Sequence, residues 1–221
     1  KALASISWKK SMKWSDHNLM WGRPLRSIFA LYNGKKILFQ FDHLESSDEI
    51  VIEQDLDLKN KKVKNFKDYN NLLRSHNIVL DHDEREKIIL KKINLTSKSK
   101  DYKEILNSKL LEEVVNIVED PNVLLVNFNK EYLKIPQEII ISTLEKHQRY
   151  FPIFDSRGRL TNNFFVVANK KDEKKFITIG NKRVVEARLA DAKFFWDKDR
   201  SKNLIKQIAN LKTVTFYEKL G

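Results

Sequence analysis

Between Lys146 and Arg200 the chain gathers seven cations suited to one kind of chemistry: Arg149, Arg157, Arg159, Lys182, Arg183, Arg188 and Arg200. A guanidinium offers a planar fork of N–H donors that matches a phosphate. Cations strung along a surface neutralise a polyanion and make its binding salt-sensitive. Arg188 and Asp191 stand three residues apart on an expected helix, where such a pair can neutralise itself. Arg149, Arg157, Arg159, Lys182 and Arg183 cannot all be neutralised that way. The aromatic residues interleaved with them, Tyr150, Phe151, Phe164, Phe165, Phe194, Phe195 and Trp196, are expected in a core.

Bond-making groups are sparse. His82-Asp83 matches the dipeptide of metal-dependent phosphohydrolases, but that chemistry needs another His and a further Asp converging on one ion. Asp81-His82-Asp83-Glu84 instead opens a charged helix, where acids favour the positive end of the dipole. His76 lies on a polar turn, and no Ser or Cys nucleophile motif surrounds His17, His43 or His147. A Gly-rich phosphate loop is missing. With no cysteine there are no disulfides or thiolate metal sites. Neither a catalytic residue nor a metal site is expected in this chain.

A hairpin and a helix must position the cations. Phe151 leads into a turn at Asp155-Ser156-Arg157-Gly158, and the apolar run Phe164 to Ala168 follows; a Gly in so short a connection is a hairpin signal. Asn181 to Trp196 carries Val184, Val185, Leu189, Ala192, Phe195 and Trp196 at helical spacing. Upstream, Lys1 to Trp14 reads as the last turns of a helix. Leu25 to Tyr32 and Lys35 to Phe41 form a hairpin about Asn33-Gly34. Glu45 to Lys64 is a loop with one short strand at Glu49 to Glu53, Phe66 to Ser75 a short helix, and Ile78 to Leu80 a strand. Asp81 caps a helix through Asn94. A second helix, Ser99 to Glu119, has the stripe Ile105, Leu106, Leu110, Val114, Ile117 and Val118. Asn122 to Phe128 is a buried strand, Pro136 starts a helix through Gln148, and Arg200 to Leu220 is again helical. Strands interleaved with helices imply a mixed α/β fold with helices packed on a mixed sheet.

Composition sets wider bounds. A chain of 221 residues can bury a real core. No run approaches the roughly 18 apolar residues of a membrane span. The start, KALASISWKKSMKW, mixes Lys and Trp too evenly for a signal peptide. A start without Met and an end in mid-pattern are expected of a piece of a longer chain. The net charge of +12 is uneven: residues 131–221 hold 19 Lys and Arg against 11 Asp and Glu. A lysine-rich composition and a phosphate-facing surface both produce such a balance, and charge alone does not separate them.

HQRYFPIFDSRGRLTNNFFVVAN at 147–169 and GNKRVVEARLADAKFFWDKDR at 180–200 resemble the β subunit of the bacterial two-subunit glycyl-tRNA synthetase. Met12-Lys13-Trp14 with Arg23-Pro24, and Leu111-Glu112-Glu113-Val114-Val115 with Pro121-Asn122-Val123, agree as well, so the likeness runs along nearly the whole chain. Two stretches depart. Ile52-Glu53-Gln54-Asp55-Leu56 stands where the family has Gly-His-Arg-Phe, and Glu186 where it has Arg.

The resemblance implies a tRNA-binding and editing-type α/β domain like that of the phenylalanyl-tRNA synthetase β chain over 1–198. The start of a helical domain is expected over 199–221. It implies a cytoplasmic glycine–tRNA ligase, a heterotetramer in which the α subunit uses ATP and Mg²⁺ to make glycyl-adenylate. The β subunit binds tRNA(Gly). Class II activation signatures are missing here, and no cofactor is expected in this stretch itself. Two alternatives are a hydrolase editing mischarged tRNA and a structural docking module for the α subunit. Glycine is the smallest amino acid, so a tight pocket rejects every larger one and leaves editing little to correct.

Overall fold

The computed structural model describes residues 2–54, 57–103, 106–203, 205 and 208. They belong to two compact units, Lys1–Ile78 and Val79–Gly221.

The first unit is built from short strands: β1 (Ile28–Phe29), β2 (Leu31–Tyr32), β3 (Lys35–Lys36), β4 (Gln40–Phe41), β5 (Leu44–Ser47), β6 (Glu49–Gln54) and β7 (Asp57–Lys62), then helix α1 (Phe66–Ser75). β2 and β3 pair about Asn33-Gly34, both at positive φ (47° and 76°), so the expected Asn-Gly turn is present. β5 pairs parallel to β1 and antiparallel to β4. Buried Ser46 latches that corner, donating to the Ile37 carbonyl oxygen at 2.6 Å and accepting from the Phe39 N–H at 3.0 Å. Asn65 caps α1 by accepting the Asp68 N–H at 2.9 Å. The core is thin: Ile50, Ile52, Val63 and Leu73 are buried, with Phe29, Leu31, Tyr69, Leu72 and Ile78 packed around them.

Two expectations here are corrected. Lys1 to Trp14 is not a helix: a single 3-10 turn at Leu3–Ser5 is followed by irregular chain, and Met12 bridges Trp21. Ile6, Trp8 and Trp14 stay exposed, so no buried face drives helix formation. Glu45 to Lys64 holds the end of β5 and the paired strands β6 and β7 rather than a loop with one strand. The Asp57–Lys62 strand is too polar to signal itself, and its pairing comes from β6, whose Ile50 and Ile52 reach the core.

The second unit comprises α2 (His82–Ser99), β8 (Tyr102–Lys103), α3 (Ser108–Ile117), β9 (Asn122–Asn127), a 3-10 turn (Lys130–Lys134) and α4 (Gln137–Ser142). A π-helical turn (Thr143–His147), β10 (Phe151–Asp155), β11 (Leu160–Ala168) and α5 (Phe176–Arg200) complete it. The sheet, ordered β8-β10-β11-β9, is antiparallel throughout. Alternation along β11 feeds both faces. Phe165 joins Ile89, Ile93, Leu110, Val114, Phe151 and Ile153 under α2 and α3. Phe164 and Val166 join Phe128, Ile140, Leu144, Val185 and Leu189 under α4 and α5. The result is a helix–sheet–helix sandwich, in keeping with the mixed α+β class.

Helix boundaries needed correction. Asp81 caps α2 as expected, its carboxylate accepting the Glu84 N–H at 2.9 Å, but the helix continues to Ser99. Left-handed Asp101 (φ 53°) ends that run, and α3 restarts only at Ser108 under an Asn107 cap. The Ser99 to Glu119 helix is therefore shorter than expected, Ile117 is 68% exposed, and Ile105 lies outside the described residues. Ile78 to Leu80 is not a strand; Val79 N–H makes one bond, to the Glu119 carbonyl oxygen at 2.8 Å. Pro136 occupies the N-cap of α4, and the helix passes into the π turn at Thr143. Of the segment expected to be helical over 200–220, residues 209–221 lie outside the described residues.

Candidate nucleic-acid interface

The β10–β11 tip is organised by one carboxylate. Asp155 Oδ1 accepts the Arg157 N–H at 3.0 Å and the Arg159 N–H at 2.8 Å. Its Oδ2 takes both Arg159 Nε and Nη2 at 2.8 Å. Gly158 closes the turn at φ 78°, its N–H donating to the Asp155 carbonyl oxygen at 2.8 Å. The Arg159 N–H, reinforced by its side chain, holds the Asp155 carboxyl below the usual aspartate range. Arg159 thus spends its charge on the turn. The exposed Arg157 guanidinium has no acidic partner among the described residues.

At the opposite end of β10, about 13 Å away at ~3.3 Å per residue, Arg149 is held as a strap. It adopts φ 61°, pairs through Nε with the Glu113 carboxylate on α3, and donates through Nη1 to the Lys146 carbonyl oxygen. Next to it, the Tyr150 hydroxyl donates to Asn181 Oδ1, tying the first turns of α5 to the sheet. Burial pushes the Tyr150 phenol pKa up.

α5 starts at Phe176, five residues before the start read from sequence. The cap that sequence reasoning missed is Asp172, which accepts the Ile177 N–H at 2.9 Å, the Thr178 N–H at 2.8 Å and the Thr178 hydroxyl at 2.6 Å. Burial raises its pKa, and those three donors bring it below the usual value. The contacts span five and six residues, not the three of an ordinary cap, so no short motif marks them. The buried stripe is Val185 and Leu189, with Ala192 and Trp196 packed against the same cluster. Val184 and Phe195, one position off that stripe and ~100° around the helix, are exposed, as is Phe194. This corrects the assignment of Phe194 and Phe195, 60% and 58% exposed, to the core; Tyr150, Phe151, Phe164 and Phe165 are buried as expected.

The helical cations differ in their surroundings. Lys182 sits 3.9 Å from the Glu186 carboxylate. Glu186 itself accepts the Asn129 N–H at 3.0 Å, closing the start of the 3-10 turn. Arg183 lies ~200° around the helix from Val185 and points away from the core. Arg200 stacks over the Trp196 ring at 5.7 Å. No ion pair joins Arg188 to Asp191 among the described residues; α5 pairs Lys193 with Asp197 at 2.6 Å instead. Lys182 and Arg200 are separated by ~27 Å of helix at ~1.5 Å per residue. Lys182, Arg183, Arg188 and Arg200 are therefore strung along α5 rather than gathered in a pocket.

The histidines differ in their surroundings. His82 pairs with Asp83, both well exposed, and His76 Nδ1 lies 2.9 Å from the Leu72 carbonyl oxygen at the end of α1. His17 and His43, 26 residues apart in sequence, stack on each other, which no sequence spacing announces.

A family model described as glycyl-tRNA synthetase beta subunit matches residues 1–221. The chain belongs to this glycyl-tRNA synthetase β-subunit family. Glycine–tRNA ligase beta subunits from Rickettsia canadensis (strain McKiel) and Syntrophomonas wolfei are each 36% identical over 222 residues, covering all of this chain and 33% and 32% of those proteins. That of Dictyoglomus thermophilum is 38% identical over 220 residues, covering 99% of this chain and 32% of its own. The chain thus spans about a third of the length of the curated relatives it matches. Of the two departures from the family pattern, Glu186 has the local partner just described, while Asp55 and Leu56 lie outside the described residues. No helix among the described residues is long and apolar enough to cross a membrane.

Proposed function

We propose that this chain is the part of a glycine–tRNA ligase β subunit that grips the tRNA(Gly) backbone through the second unit. Glycine activation takes place on the α subunit of a cytoplasmic heterotetramer. The observation that carries the reading is the hairpin tip: Asp155 absorbs Arg159 and leaves Arg157 unpaired on an exposed turn. A-form RNA hides its base edges in a deep major groove, so a projecting guanidinium meets phosphates and ribose rather than sequence. Arg183 and Arg188 extend that surface along α5. The editing-type domain of the phenylalanyl-tRNA synthetase β chain is the proposed fold counterpart, without the hydrolytic role, for the reason of substrate size.

ATP and Mg²⁺ belong to the complete enzyme in this proposal, and the cavity between α2 and α3 does not suit a nucleotide. It has a volume of about 690 Å³ and is lined by His82, Asp83, Arg85, Glu86 and Glu112. Its guanidinium does not fit the role: Arg85 already donates to the carbonyl oxygens of Val79, Leu80 and Val115 at 2.7–2.9 Å. The acidic side chains of the lining, Asp83, Glu86 and Glu112, are acceptors and offer phosphate no cation.

The exposed Phe194 and Phe195, whose rings meet edge-on at 5.4 Å, favour a second reading in which α5 also docks the α subunit. Labelled tRNA(Gly) titrated with the chain and with Arg157→Ala tests the first reading, and loss of α-subunit co-purification on Phe194→Asp tests the second. A variant with unaltered RNA affinity and salt dependence removes the tip from the RNA surface.

A further inference from the structure

The first unit carries a cluster that the RNA-binding proposal does not use. Backbone bonds from Met12 N–H to the Trp21 carbonyl oxygen (2.9 Å) and from Trp21 N–H to the Met12 carbonyl oxygen (3.2 Å) close the loop 12–21. The Trp21 ring packs edge-on against Phe41 at 5.6 Å, which brings the loop onto the Asp42-His43 turn between β4 and β5. There the His17 and His43 rings stack with centroids 3.4 Å apart and planes 6° from parallel. His43 Nδ1 lies 2.8 Å from Asp42 Oδ2. One ligand atom from each of the three residues lies within 4.8 Å of the other two.

We propose that His17, Asp42 and His43 form a binding site for a divalent transition metal, with Zn²⁺ the ion that fits best. Two imidazoles and a carboxylate are a borderline donor set: imidazole suits Zn, Cu, Fe and Ni, whereas Mg²⁺ and Ca²⁺ prefer all-oxygen ligands. A tetrahedral ion with bonds of ~2.0–2.1 Å places its donors ~3.3 Å apart. Loading therefore closes the widest separation by at most about 1.5 Å and turns the imidazoles out of parallel. Both changes are rotations about soft terminal torsions of partly exposed side chains. Water completes the fourth position.

Such an ion joins the 12–21 loop to the β4–β5 turn. That matters in this unit, because its buried core among the described residues is four side chains and Trp8, Met12, Trp14 and Met20 stand exposed. Small cores are commonly stapled by disulfides or metals, and without cysteine only the second is open here. A second histidine–acid pair, His82 with Asp83, offers two donors on an exposed helix end, with no third among the described residues.

The test is a Zn²⁺ titration of the metal-stripped, 221-residue chain, following the ring nitrogens of its five histidines by NMR. One equivalent should shift His17 and His43 together and leave His76, His82 and His147 in place. Equilibrium dialysis should then find one Zn²⁺ per chain, falling to none in His17→Gln and staying at one in His82→Gln. Five histidines shifting in parallel, or no shift at several equivalents, overturns the proposal. So does undiminished stoichiometry in His17→Gln. The wild-type titration stands by itself should that variant fail to fold.

Discussion

Arg157→Ala isolates the tip cation from the turn that presents it. Arg157 contributes only its backbone N–H to the Asp155 clamp, so Ala keeps that bond while Arg159 keeps all three of its own. The hairpin is expected to survive, and the change is one lost phosphate contact. Each neutralised phosphate contributes ~0.7–0.9 to the slope of log affinity against log salt. Raising salt fourfold, from about 50 to about 200 mM, therefore costs the variant ~2.6–3.5-fold less affinity than the wild type. Fluorescence anisotropy of labelled tRNA across that range reads the slope directly. Arg157→Lys, which keeps the charge but not the fork, should restore most of the slope and less of the affinity. A slope unchanged in Arg157→Ala refutes the assignment, because an unpaired guanidinium at an RNA contact cannot be removed without changing ion release.

Other consequences follow from the same geometry. Leu189→Ala empties a fully buried position under α5 and should cost ~2–5 kcal/mol, read as a lower thermal midpoint, whereas Phe194→Ala should stay within ~0.5 kcal/mol in the isolated chain. Asp155 has a depressed folded pKa, so its contribution to the tip is complete above the unfolded value of ~3.9 and is lost as pH falls through the folded one. The Arg157 and Arg159 amides should accordingly keep their hydrogen-exchange protection at neutral pH and lose it in strong acid before the core amides do. Glu186→Arg removes the acceptor of the Asn129 N–H and should lower stability by ~1 kcal/mol while steepening the salt dependence of tRNA binding. A midpoint equal to wild type would show that the Asn129 contact carries no weight.

The sequence by itself determined the elements whose signals are local. Asn33-Gly34 and Gly158 specify their turns through positive φ, Asp81 caps α2, and Phe66–Ser75 reads as the helix it is. The order of motifs carried the family, and residue type alone picked out the seven cations. Only the tertiary structure decided which of those cations stay available, since Arg149 is strapped to Glu113 and Arg159 to Asp155 by groups whose positions depend on the packed sheet. It also decided that Val185 and Leu189 face inward while Phe194 and Phe195 do not, because a continuous apolar run fits more than one helix face until a sheet selects one. The strand Asp57–Lys62 and the His17–His43 stack were invisible for a related reason. The strand is polar and takes its pairing from the neighbouring β6 rather than from an apolar alternation of its own, and the stack joins residues 26 apart, which pattern within a window does not encode.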